Sequence, residues 1–127
     1  MTTAFGAAGD AKYVLLTTYR KDGTPVGSPL WAALDGDKMV LWTPTDSWKV
    51  KRIRRNPSVT IQPCTIRGQV SGDIVTGTAE LAEGVGVERV RSLIRSKYGI
   101  TGWLTITGSL LRRGKSGTCG IIVSRES

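Results

Sequence analysis

Apolar, β-branched and polar positions fall into short runs separated by turn chemistry. Residues 13–19 (YVLLTTY) form the first such run, and Lys21-Asp22-Gly23-Thr24-Pro25 after it is a hairpin signal. The second strand is expected over residues 26–34 (VGSPLWAAL), bulged or at a sheet edge because Pro29 has no N–H for a ladder. Asp35-Gly36-Asp37 turns the chain into a third strand at residues 39–43, and residues 58–63 (SVTIQP) alternate as a fourth. Thr65-Ile66-Arg67-Gly68 reads as a loop, residues 74–81 as a fifth strand and residues 118–124 (TCGIIVS) as a sixth, after a turn at Lys115-Ser116-Gly117.

Two stretches change period. From Val85, the residues Val87, Val90, Leu93 and Ile94 share one helical face and Glu88, Arg89, Arg91, Arg95 and Lys97 lie elsewhere, with an end near Tyr98-Gly99. Residues 103–113 (WLTITGSLLRR) carry both strand and helix formers. The two terminal arginines and Gly114 as a stop favour a second helix. The chain of 127 residues is thus expected to form a single domain, 1–127, mainly β with added helices (α+β): a small six-stranded barrel with a short basic helix and C-terminal helices.

Charge sharpens this picture between the third and fourth strands. Residues 49–55 hold five cations in seven positions, Lys49, Lys51, Arg52, Arg54 and Arg55. Val50 and Ile53 can share the buried face of a short helix, leaving Trp48, Lys51, Arg52 and Arg55 on the other side, with Asp46 or Ser47 as N-cap and Asn56-Pro57 as the stop. Lysines in a first turn oppose the helix dipole, and i,i+3 and i,i+4 like charges cost a few tenths of a kcal/mol each. A phosphate at the helix start beside Ser47 and Lys49 reverses that sign, whereas a solvated basic helix is the plainer alternative. The net charge of +8 points the same way, toward anionic ligands, nucleic acid or a membrane surface.

The chain has no histidine, which removes histidine-dependent triads and dyads and the commonest metal ligand and general base. Asp22, Asp35 and Asp37 sit in turns, so neither a carboxylate pair nor a metal site is expected. Cys64 and Cys119 are read as small hydrophobes without a disulfide. No apolar run is long enough for a membrane span and no export signal is visible, so a cytoplasmic location is expected. An enzyme built this way needs a cofactor to carry its reaction.

The segments KYVLLTTYRKDGTPVGSPLW, WTPTDSWKVKRIRRNPSVTI and CTIRG, in that order, resemble the split β-barrel flavin and deazaflavin proteins of the pyridoxamine-phosphate-oxidase-like superfamily. Their branch of coenzyme F-420-dependent oxidoreductases is the most similar. The resemblance implies a dimer with cofactor grooves between subunits. Val26, Gly27, Ser28 and Pro29 would then lie along the ring system. Trp42, Thr43, Pro44 and Thr45 would meet the ring and ribityl chain, and Ser47, Trp48 and Lys49 the phosphate. Arg67 and Gly68 match a further contact, reached from the other subunit. To these, charge geometry adds Arg52 and Arg55, as partners for the phosphate or the coenzyme's polyglutamate tail.

The implied reaction is hydride transfer from the reduced coenzyme to an electrophilic small-molecule substrate. Protein residues position and none is assigned as catalytic, the proton coming from water or a tyrosine. Flavin mononucleotide (FMN) with oxidase or reductase activity is the alternative on the same fold. A non-catalytic cofactor carrier and a single-stranded nucleic-acid-binding barrel are the others, the last disfavoured because the cations gather on one helix instead of tracking along strands.

Overall fold

The computed structural model describes residues 5–9, 11–44, 47–82, 85–113 and 118–125. Thr45, Asp46 and the turn expected at residues 115–117 lie outside them.

Seven strands form one antiparallel sheet: β1 (Tyr13–Tyr19), β2 (Pro25–Leu30), β3 (Ala32–Asp35), β4 (Lys38–Pro44), β5 (Ser58–Cys64), β6 (Val75–Ala82) and β7 (Thr118–Arg125). Their order in space is β2-β1-β5-β6-β7-β4-β3. The expected count of six is corrected at residues 26–34, which are two strands instead of one. Leu30 still pairs with Val14 of β1, whereas Ala32 pairs with Leu41 of β4, so the chain changes partner across Trp31. A straight strand cannot serve both neighbours. The two edges of the sheet are therefore consecutive in sequence, separated by one residue, and β2 also touches β4 across the gap. Hydrogen bonds do not close the barrel; Trp31 spans the split.

Period-two patterning builds the interior. Val14 and Leu16 of β1, Met39 and Leu41 of β4, Val59 and Ile61 of β5, and Ile121 and Val123 of β7 all point inward and are buried together with Phe5 and Ala8. The opposite faces of β3, β4 and β7 carry a second cluster, Ala33, Val40 and the part-buried Ile122, which α2 (Val85–Arg113) covers with Val87, Val90 and Ile94. The apolar face of that helix is the expected one, but Arg91, expected away from it, is buried too and pairs with Glu88. Gly120 of β7 permits the approach, since a Cβ there would lie 2.6 Å from Val90 Cγ2. Gly99 takes φ 61° and ψ −138° and breaks α2 into two helical segments, the second of which covers the residues 103–113 expected to be helical.

α1 (Trp48–Arg55) follows β4 after a short connection and buries Val50 and Ile53, as the spacing requires. Ile53 joins the barrel interior, so the helix sits against the barrel beside β1 and β6. Asn56 ends it, its N–H donating to the carbonyl of Arg52 at 2.8 Å. Arg89 of α2 grips Asp35 with two hydrogen bonds of 2.8 and 2.7 Å, fastening the helix to the end of β3. Both cysteines are free thiols, and Cys119 is buried. Among the described residues no helix is long and apolar enough to cross a membrane.

Candidate functional site

Ser47 is the N-cap of α1 by backbone geometry (φ −72°, ψ 153°), but its side chain makes no capping bond. Its Oγ is buried and has no hydrogen-bond partner. The first turn has no acidic residue, and the N–H groups of its leading residues have no acceptor within the helix. An orphaned buried hydroxyl costs about 1–3 kcal/mol, so a partner is expected where these donors converge. Lys49 stands beside it, half-buried. Burial first, and then the charge of Arg52, hold its ammonium below the usual lysine range, while Cys119 acts in the opposite direction. Cys119 is the β7 partner of Thr43, which brings Lys49 to the last rungs of β4. Thr43 is fully buried, with its own Oγ1 unpartnered, and Trp42 Nε1 is a third orphan in the same stretch.

The pleat separates Trp42 from Thr43. Trp42 packs in the outer cluster under α2, whereas Thr43 follows Met39 and Leu41 on the inward face. Their side chains cannot both meet one ring system. The Trp42 ring is part-buried against the outer cluster.

A second gathering lies on the other face of α1. Arg20, Lys21, Trp48, Lys51, Arg52 and Arg55 line a cavity of about 400 Å³ between the helix and the β1–β2 turn. Arg52 Nε donates to Thr18 Oγ1 at 2.7 Å and Arg55 Nη2 to the Tyr19 carbonyl at 3.4 Å, so strand β1 holds both guanidiniums. Trp48 is 71% exposed, and Lys51 Nζ lies 4.4 Å from the centre of its ring. Arg52 and Arg55 thus share a surface with Trp48, and Arg52 also stays within electrostatic reach of Lys49. Lys51 joins them as the helical spacing predicted, whereas Arg20 and Lys21 are additions to the residues singled out from sequence. The only signal for these two was a pair of cations before a hairpin turn, which acquires meaning once β1 is seen to lie against α1.

The third gathering is along β2. Val26 and Ser28 pair with the inward residues Thr18 and Leu16, which turns Gly27 and Pro29 to the outer face. Gly27 is exposed, and a Cβ there would lie 3.0 Å from the Leu15 methyls, so the glycine lets the Leu15 side chain pack against the β2 backbone. Gly68, at φ 84°, approaches Pro29: its missing Cβ would be 3.7 Å from Pro29 Cγ. The loop is set by the Gly68 N–H, which donates to the Thr65 carbonyl at 2.9 Å. Arg67 is exposed on the same loop, its N–H donating to Thr65 Oγ1 at 3.3 Å. Val26 to Pro29 and Gly68 are therefore together, and Thr43, Ser47 and Lys49 are together across the split. Thr45 lies outside the described residues, and Pro44 ends β4.

An open antiparallel sheet rolled until its edge strands meet through one residue is a split barrel. The family model for pyridoxamine 5'-phosphate oxidase matches residues 6–112, and the chain belongs to that family. No curated protein matches the sequence. Solved structures with the same fold include a putative pyridoxamine 5'-phosphate oxidase from Listeria innocua, with 19% identity over 94% of this chain and 88% of that one and a TM-score of 0.63. An F-420 reductase is similar at 19% identity, 95% and 92% coverage and a TM-score of 0.63. The haem storage protein HutZ from Vibrio cholerae is similar at 14% identity, 94% and 85% coverage and a TM-score of 0.68.

Proposed function

We propose that this protein is an oxidoreductase that uses the reduced deazaflavin coenzyme F-420 against an electrophilic small molecule. The observation that carries the reading is the orphaned, buried Ser47 Oγ at the start of a helix whose charged residues are all basic, with the desolvated Lys49 beside it. That donor set suits a phosphate monoester or diester, which accepts from backbone N–H groups, a hydroxyl and an ammonium at once. Strand β2 is an edge strand, so the backbone of Val26 to Pro29 can meet a flat ring, with Gly68 beside Pro29. Arg52 and Arg55 present fixed cations to a polycarboxylate tail, for which a flavin mononucleotide has no counterpart.

When bound, the coenzyme supplies hydride chemistry that no side chain of this chain can perform. The protein's part is to bind, orient and exclude water. Tyr98 is a poor proton source, because its hydroxyl already donates to the Lys12 carbonyl and burial raises its pKa above the ordinary tyrosine value. The substrate's proton therefore comes from water in this reading.

Family membership and one similar F-420 reductase support the class, and FMN remains the second reading because it satisfies the same phosphate donors. Haem fits the donor chemistry poorly, since a histidine-free chain cannot supply an imidazole axial ligand. The cofactor grooves of a barrel this small are completed by a second copy, so the working unit is a homodimer in this proposal.

Titration of the cofactor-free protein, followed by tryptophan fluorescence, tests the reading. Polyglutamylated F-420 should bind more tightly than FMN, and reversing Arg52 and Arg55 to glutamate should remove that preference while leaving FMN affinity nearly unchanged. Tighter binding of FMN in the wild type overturns the deazaflavin assignment.

A further inference from the structure

The cavity between the β1–β2 turn and α1 has more than a tail requires. A flexible polycarboxylate needs only cations, yet an indole 71% exposed stands in the wall. Exposed tryptophan is a platform for flat rings, and Lys51 at 4.4 Å covers only one of its faces. The cations converge on a pocket instead of tracking along a strand, and about 400 Å³ is the volume class of a small-molecule site. Among the described residues no carboxylate lines it. Asp22 accepts the Thr24 N–H at 2.9 Å within its own turn and also feels the charge of Arg20, so it offsets that one cation in part from outside the pocket lining. Arg20 is held by the same turn: its N–H donates to the Thr24 carbonyl at 2.9 Å and its carbonyl accepts from Gly23 at 2.8 Å. Burial, Arg20 and Arg55 together lower the pKa of Arg52, so these guanidiniums are close enough to repel one another and would gain from a shared anion.

We propose that this pocket binds a purine nucleotide carrying two or more phosphates, the base stacked on the free face of Trp48 and the phosphates held by Arg20, Lys21, Arg52 and Arg55. Two or more phosphates are inferred from the charge: Arg20 and Lys21 from the hairpin turn and Arg52 and Arg55 from the helix carry more positive charge than one phosphate neutralises. The site is distinct from the Ser47–Lys49 phosphate site. It shares Arg52 and Arg55 with the coenzyme-tail assignment, so the two ligands compete. The inference does not rest on the coenzyme reading, since its test uses cofactor-free protein.

The experiment is calorimetric titration of the cofactor-free protein with ADP, inorganic pyrophosphate and a short oligothymidylate, in about 150 mM salt, where weak surface attraction is screened. ADP should bind saturably with one site per chain and more tightly than pyrophosphate. Trp48→Leu should weaken ADP about tenfold, the loss expected for one stacked base, and leave pyrophosphate unchanged. Exchanging Arg20 and Lys21 together for glutamine should weaken both ligands. All these side chains are on the surface, and circular dichroism verifies the fold of each variant. Equal affinity for ADP and pyrophosphate, an unchanged Trp48→Leu variant, absence of saturable binding, or oligothymidylate binding far tighter than ADP would each overturn the proposal, the last in favour of single-stranded nucleic acid.

Discussion

Lys49 shows how one side chain can work against the free protein while serving a bound anion. Its ammonium is half-buried and repelled by Arg52, so the charged form is the disfavoured one in the fold and its pKa lies below the ordinary 10.5. A lowered lysine pKa means that the unfolded chain binds more protons between the folded and unfolded values. Stability therefore rises with pH through that window, as the penalty of holding the charge disappears. Lys49→Met should melt higher than wild type at neutral pH, with the gap closing as pH approaches 10.5, while affinity for a phosphate-bearing cofactor drops by about 1–3 kcal/mol. Thermal melts across pH, with and without cofactor, measure both halves. Ser47→Ala should behave in parallel, because removing a buried hydroxyl that lacks a partner does not destabilise the free fold. If Ser47→Ala lowers the melting point of the cofactor-free protein, the hydroxyl has a structural partner after all.

At the scale of elements, the outer helix depends on an absence. A methyl added at Gly120 would meet Val90 Cγ2 at 2.6 Å, so α2 must lift from β7 or Val90 must leave its rotamer. Gly120→Ala should cost about 1–3 kcal/mol by overpacking, measured by urea denaturation, and Val90→Ala in the same chain should recover part of that loss instead of adding to it. Simple addition of the two costs would mean that the clash is relieved elsewhere. These elements also show what periodicity can convey. The faces of α1 and of the first part of α2 were legible because Val50 with Ile53, and Val87 with Val90 and Ile94, carry the helical spacing openly. The division of residues 26–34 was not, because a change of hydrogen-bond partner at Trp31 leaves no mark in the hydrophobic pattern. In the candidate site the same boundary applies. Ser47 and Lys49 could be picked out within one motif, whereas the joining of Arg20 and Lys21 to Trp48 depends on topology. Which face of β4 the Trp42 side chain takes, the outer one under α2, likewise follows from the fold and not from the motif.

For the whole molecule, the proposed dimer has a candidate surface. Ile66 and Ile74, 66% and 60% exposed, flank the loop that carries Gly68 to Pro29. Apolar side chains left in water beside the proposed cofactor contact on β2 are what a second copy would cover. Changing both to glutamate should shift the mass in analytical ultracentrifugation from dimer to monomer and weaken cofactor binding, with little change in the helical circular dichroism signal. A protein that is monomeric at micromolar concentration before any substitution would count against the shared groove.

The split at Trp31 also bears on how quickly the barrel can assemble. A barrel ordinarily has to unite strands from distant parts of the chain along its last seam, and the entropy of that closure delays folding. Here the seam lies between β2 and β3, which one residue already joins, and both belong to local hairpins with β1 and β4. The costly search is displaced to the ladder between β4 and β7, one strand in from the seam, where Lys38 must find Ser124 and Thr43 must find Cys119. Refolding kinetics should register it there: truncations of Leu41 or Ile121 should slow folding, whereas Tyr98→Phe, which loosens the seam where the Tyr98 ring stacks on Trp31 at 4.4 Å, should act mainly by accelerating unfolding. The opening in the barrel thus moves the long-range step of folding from the seam to the β4–β7 ladder.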